Sequence, residues 1–165
     1  MKLTRADIKK IQEEIDYRNR ELRPKLLEDL RTARAQGDLS ENFEYVMAKR
    51  ANNRNLSRIR YLENMIRTAQ VVEESAPEDV AGLNREVTVW FPEDEAEEVY
   101  KLVSSIRGDS MKNRISVESP LGRALKGHKA GETVTVRVND SYSYRCEIRK
   151  VSAVPDDGSD ELRSY

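Results

Sequence analysis

Two runs of apolar residues at three- and four-residue spacing constrain this chain most. The first is Ile8, Ile11, Ile15, Leu22, Leu26, Leu30 and Ala33. The second is Tyr45, Ala48, Asn52, Asn55 or Leu56, Ile59, Leu62, Ile66 and Ala69. Such spacing gathers a stripe on one helix face. Two helices of similar length joined by a few residues must fold back antiparallel to bury their stripes against each other. Each arm has roughly 27 residues, so at the rise of an α-helix it is about 40 Å long. No third run follows that would cover the outside, so a coiled-coil hairpin is expected rather than a compact bundle.

Local signals refine the hairpin. Thr4 and Asp7 form a weak capping box at the start of the first helix. Pro24 removes a backbone donor and its ring clashes with the preceding turn, which predicts a kink near Arg23. Gly37 suits the end of the first arm. Asn52 and Asn55 interrupt the second apolar stripe, and polar seam residues fix register at a cost in stability.

Beyond Glu73-Glu74-Ser75-Ala76-Pro77-Glu78-Asp79, a polar linker, the period changes from helical to two. Strands are predicted at Arg85–Phe91, Glu98–Val103, Arg114–Val117, Thr133–Val138 and Tyr142–Val151. The segment Ser119-Pro120-Leu121-Gly122-Arg123-Ala124-Leu125-Lys126-Gly127 reads as a short helix with a serine cap and proline in its first turn. The fold class is α+β. Residues 1–75 are assigned to the coiled coil, 76–154 to a β-sheet domain, and 155–165 to an acidic tail expected to be disordered.

Charge separates the halves. Residues 1–75 hold 16 Lys/Arg against 13 Asp/Glu, whereas 76–165 hold 13 against 17. The whole chain has a net charge of −1, which argues against bulk nucleic-acid binding, so a polyanionic partner is expected at the hairpin. Cys146 is the only cysteine, which excludes an internal disulfide and fits a reducing, cytoplasmic compartment. No apolar run is long enough to span a membrane. With His128 as the single histidine, neither a zinc site nor a Ser-His-Asp triad assembles.

The join between the arms carries the chemistry. Asp38 and Glu41 lie three apart in Gly37-Asp38-Leu39-Ser40-Glu41-Asn42-Phe43-Glu44-Tyr45. One reading is a D-x-x-E box in which Asp38 caps the second helix and Glu41 reaches back. The other is half a site for Mg²⁺, which takes six oxygens and sheds water reluctantly, so a partner must hold the rest. The two can coexist. Arg34 precedes this tip and Lys49 and Arg50 follow it. Arg54, Arg58 and Arg60 continue along the second helix, where residues 49–67 hold six basic side chains and one acid. Such a run is either a solvated face or a guide for a phosphate backbone.

These residues resemble the Gre family of bacterial transcript cleavage factors over nearly the whole chain. The resemblance is carried by Ala33 to Tyr45 followed by Ala48-Lys49, by Ser119 to Gly127, and by the Arg23-Pro24 step. It implies an antiparallel coiled coil followed by an FKBP-like domain. It further implies that the globular domain docks on bacterial RNA polymerase, with Ser119, Pro120, Leu121, Gly122 and Arg123 in the docking domain. The hairpin then enters the secondary channel. By position, Asp38 and Glu41 would help hold a weakly bound Mg²⁺ shared with the polymerase, while Arg34 and Lys49 match a basic patch facing the nascent RNA 3′ end. Phe43 departs from the family, which usually has a small residue there.

The function expected is stimulation of the polymerase's own Mg²⁺-dependent cleavage of backtracked RNA, with no autonomous active site. The alternatives are a Gre-like paralogue that occupies the same channel and inhibits, and an FKBP-like prolyl isomerase carrying a coiled coil.

Overall fold

A computed structural model describes residues 1–37, 42–73, 76–155 and 160–163. It divides into two units, one of residues 8–69 and one of residues 1–7 with 70–165.

The first unit is the helical hairpin. Helix α1 (Arg5–Tyr17) runs through a π-helical turn (Arg18–Leu22) into α2 (Arg23–Ala35), and α3 (Phe43–Thr68) returns. The kink expected at Pro24 therefore takes a specific form. Proline has no N–H to give to the carbonyl four residues back, and the turn just before it is widened, with Arg23 N–H donating to Arg18 O. Among the described residues, Ile11, Ile15 and Ala33 of the first arm are buried, as are Ile59, Leu62 and Met65 of α3.

The middle of the seam is polar. Arg58 makes two hydrogen bonds to Glu14, Nε to Oε1 at 2.9 Å and Nη2 to Oε2 at 3.1 Å. Arg18 Nε donates to the same Glu14 Oε1 at 2.7 Å. Arg18 Nη1 also donates to Asn55 Oδ1 at 3.1 Å, and Asn55 Nδ2 donates to Arg18 O at 3.5 Å. Asn55 thus reads the backbone where the helix is widened, which explains a polar residue in the stripe. Burial pushes the Glu14 carboxyl up, but the hydrogen bonds and charges of Arg58 and Arg18 outweigh it and hold the group below the ordinary glutamate range.

The second unit is built on a five-stranded sheet in the order β5-β4-β3-β7-β6, where β3 is Arg85–Phe91, β4 Ala96–Val103, β5 Arg114–Ser116, β6 Thr133–Arg137 and β7 Ser143–Ala153. All neighbours are antiparallel except β4 and β5. Alternation fills one face: Val87, Val89, Leu102, Val134, Val136, Cys146 and Ile148 join Leu125 of the short helix α4 (Pro120–Leu125) in the core. Burial pushes the Cys146 thiol up to about 11. The β3–β7 register slips between Thr88 and Val89, and Arg149 stacks on the Trp90 ring at 4.3 Å.

Both ends of the chain make contacts that local sequence signals do not show. Residues 1–7 belong with the sheet unit, because β1 (Lys2–Leu3) pairs in parallel with β2 (Gln70–Val71) and Leu3 is fully buried. The predicted Thr4–Asp7 box forms, with Asp7 N–H donating to Thr4 Oγ1 at 3.1 Å and Thr4 N–H to Asp7 Oδ2 at 2.9 Å. Asp7 is also ion-paired with the buried Arg107 at 2.5 Å. The tail is not structureless throughout. Asp160 is buried between Lys101 Nζ at 2.7 Å and Arg114 Nη1 at 2.9 Å, and Arg163 N–H donates to Ile106 O. Two cations on adjacent strands give a late acid a site that composition alone does not show. Among the described residues no helix is long and apolar enough to cross a membrane.

Candidate functional site

Helix α3 begins at Phe43, and Asn42 is its cap. The Asn42 side chain accepts from Tyr45 N–H at 3.0 Å and donates from Nδ2 to Ala33 O at 2.7 Å. One amide therefore satisfies an orphan donor of α3 and ties that helix to the last turn of α2. One reading of the sequence has Asp38 capping the second helix; the cap described at its start is Asn42. The signal available was an Asn one residue before the helical run. Asp38 and Glu41 themselves lie outside the described residues.

The basic residues divide into two groups. Arg34 at the end of α2 and Lys49 on α3 both lie over the Tyr45 ring, at 5.8 and 6.0 Å from its centre. The hydrogen bond from Arg34 holds the Tyr45 phenol below its ordinary range; partial burial opposes this, and the Lys49 and Arg34 charges add to it. Tyr45 thus brings together two cations that lie fifteen positions apart in the chain. Both are exposed, as is Arg50. Arg58 is different. It was counted in the basic run, but it is buried against Glu14, while Arg54 and Arg60 stay exposed. The run therefore holds one structural arginine among exposed cations.

The Ser119–Arg123 segment has internal work to do. Ser119 Oγ donates to Ser116 O at 2.6 Å and accepts from Gly122 N–H at 3.0 Å. Gly122 lies so close to β5 that a Cβ would meet Ser116 O at 2.0 Å. Pro120 takes the first helical position. Leu121 lines a cleft of about 310 Å³ with Phe91, Tyr100, Tyr142 and Tyr144, and Arg123 is exposed. The rings of Phe91 and Tyr100 stand at 90° in a T-shape, their centres 6.3 Å apart.

Comparison with known proteins identifies the chain. The family model described as "Transcription elongation factor, N-terminal" matches residues 1–71, and "Transcription elongation factor, GreA/GreB, C-term" matches 76–153. The chain belongs to the GreA/GreB family of transcription elongation factors. It is 38% identical to the transcription elongation factor GreA of Clostridium botulinum over 91% of this chain and 94% of that one. It is 44% identical to that of Caldanaerobacter subterraneus subsp. tengcongensis over 82% and 87%. Among solved structures, GreA factor homolog 1 (Gfh1) of Thermus thermophilus is 22% identical, covering 93% of this chain and 99% of that one, with a TM-score of 0.42. GreA/GreB from Nitrosomonas europaea is 26% identical, covering 57% and 78%, with a TM-score of 0.39. Membership therefore rests on sequence. The chain is a Gre-type elongation factor, with a helical hairpin and a mixed sheet in an α+β fold.

Proposed function

We propose that this Gre-type factor acts with bacterial RNA polymerase in the cytoplasm by stimulating the polymerase's own cleavage of backtracked transcripts, and performs no cleavage alone. The observation that carries this is the placement of Asn42. A side chain other than the two acids, that of Asn42, caps α3, and a pair of exposed cations is gathered on Tyr45; in sequence, Asp38 and Glu41 fall between those two cations, Arg34 and Lys49. Hard carboxylate oxygens are the donors Mg²⁺ takes, and two of them leave most of its six positions to others, so Asp38 and Glu41 fit a site shared with the polymerase. When bound, such an ion activates water or stabilises a leaving oxygen.

The chain's residues then have distinct roles. Asp38 and Glu41 contribute two charged oxygens. Arg34, Lys49 and Arg50 offset phosphate charge on the nascent RNA 3′ end, positioning it without reading sequence. Asn42 ties the start of α3 to the last turn of α2. On the sheet unit, Leu121 in its aromatic cleft and Arg123 at the surface provide the docking contact, while Ser119, Pro120 and Gly122 shape the helix that presents them.

The test is cleavage of a stalled, backtracked elongation complex with and without the protein. Asp38→Asn with Glu41→Gln is expected to abolish stimulation while leaving binding largely intact. Stimulation at the wild-type level by that double variant would refute the shared-metal role. Slowed elongation with no short 3′ fragments would mark an inhibitor instead.

A further inference from the structure

Phe43 is 72% exposed, in the first turn of α3 directly after the Asn42 cap. An aromatic ring left in water needs a reason, because such rings carry a large hydrophobic payload and are concentrated at contacts. Helical spacing puts Val46, Met47 and Arg50 on the same face as Phe43, at three, four and seven residues onward. Val46 and Met47 are exposed as well. Lys49 lies one residue to the side of this stripe, and Glu44 is the acid beside it, on the flank away from Arg50. Tyr45, the other aromatic here, already has Arg34 and Lys49 over its ring. An open ring on a helix face that also carries a cation, Arg50, two turns on, suits single-stranded nucleic acid, where bases stack and charges follow the backbone.

We infer that Phe43 is a stacking platform for an unpaired base of the RNA 3′ end, with Arg50 and Lys49, almost two turns further along α3, on the phosphates. This rests on the function proposed above and adds a specificity residue to it. Stacking strengthens with the size of the base, so the platform makes stimulation depend on which nucleotide is extruded, purines being favoured. A purely apolar contact with the polymerase would not distinguish the bases.

The experiment uses the full chain and backtracked complexes assembled with each of the four bases as the extruded 3′ nucleotide. Phe43→Ala is expected to lower the stimulated cleavage rate about tenfold on purine ends and clearly less on pyrimidine ends. Phe43→Trp should retain the rate and Phe43→Leu should behave like the alanine variant. An unchanged rate for Phe43→Ala overturns the inference. So does a loss equal for all four bases, or full activity of Phe43→Leu, either of which assigns the ring to a protein surface. A 3′-terminal 6-thioguanosine should photo-cross-link to the peptide containing residue 43. If the wild type fails to stimulate cleavage, the proposed function falls and the cross-link alone decides; its absence would overturn the stacking role.

Discussion

The hairpin and the sheet unit fill their interiors differently. In the sheet unit Val87, Val89, Leu102, Val136 and Ile148 are wholly withdrawn from water, and apolar burial carries the fold. In the hairpin the middle of the seam is given to Glu14, Arg18, Asn55 and Arg58. Apolar contacts are non-directional and tolerate sliding, whereas a bidentate arginine–carboxylate pair is satisfied in one alignment only. The hairpin has given up some stability for register, and register decides where the tip residues stand relative to one another.

The largest break in this contrast comes from Gly122→Ala. Its added carbon meets backbone rather than a yielding side chain, so the sheet unit should lose about 3 kcal/mol. Trp90, the single tryptophan, lies in β3, and its fluorescence in a urea titration isolates that unit. A midpoint unchanged from wild type would show that α4 can move off β5.

Arg58→Met tests the other side. It leaves Glu14 partly buried with only Arg18 beside it, and the hairpin should lose roughly 2 kcal/mol, read by helical circular dichroism. Replacing both Glu14 and Arg58 by Leu should recover most of that loss, since the pair provides register more than stability. Acid sharpens the same point. The folded Glu14 carboxyl titrates below its ordinary value of 4.5, so its contribution is complete above that pH and is lost as pH falls through the lower folded value. The Arg58→Met variant should show a weaker decline over that window.

The smallest effect is expected at the tail. Asp160→Asn removes the carboxylate between Lys101 and Arg114 and leaves Arg114 its 3.3 Å pair with Asp109, for a loss of about 1 kcal/mol and a fall in Tm of roughly 4 °C by Trp90 fluorescence. An unaltered Tm would return the tail to a passive appendage.

Much of this was legible in the sequence where the cause is local. The Thr4–Asp7 box, the break before Pro24, the Ser119 cap and the β3 limits follow from side chains acting on their own neighbourhood. Asn55 was legible as a register residue, though its partner was not. What spacing could not reveal was long-range pairing. Arg58 looks like its exposed neighbours until Glu14, 44 residues away, is placed opposite it. The parallel pairing of β1 with β2 and the seat of Asp160 also join segments far apart in sequence. At the tip, the gathering of Arg34 and Lys49 on Tyr45 and the capping by Asn42 required coordinates.

The widened turn at Arg18–Leu22 has a consequence for anyone who would lengthen this arm. It takes up an extra residue, which rotates everything beyond it by about 100° relative to an unbroken helix. The heptad phase before Tyr17 and the phase after Arg23 are therefore separate clocks. Insertions on the tip side must come in sevens, matched on both strands, to keep Leu26 and Leu30 facing inward. A fixed-phase coiled-coil template drawn through the whole arm would set one half of it about 100° out of phase with its seam.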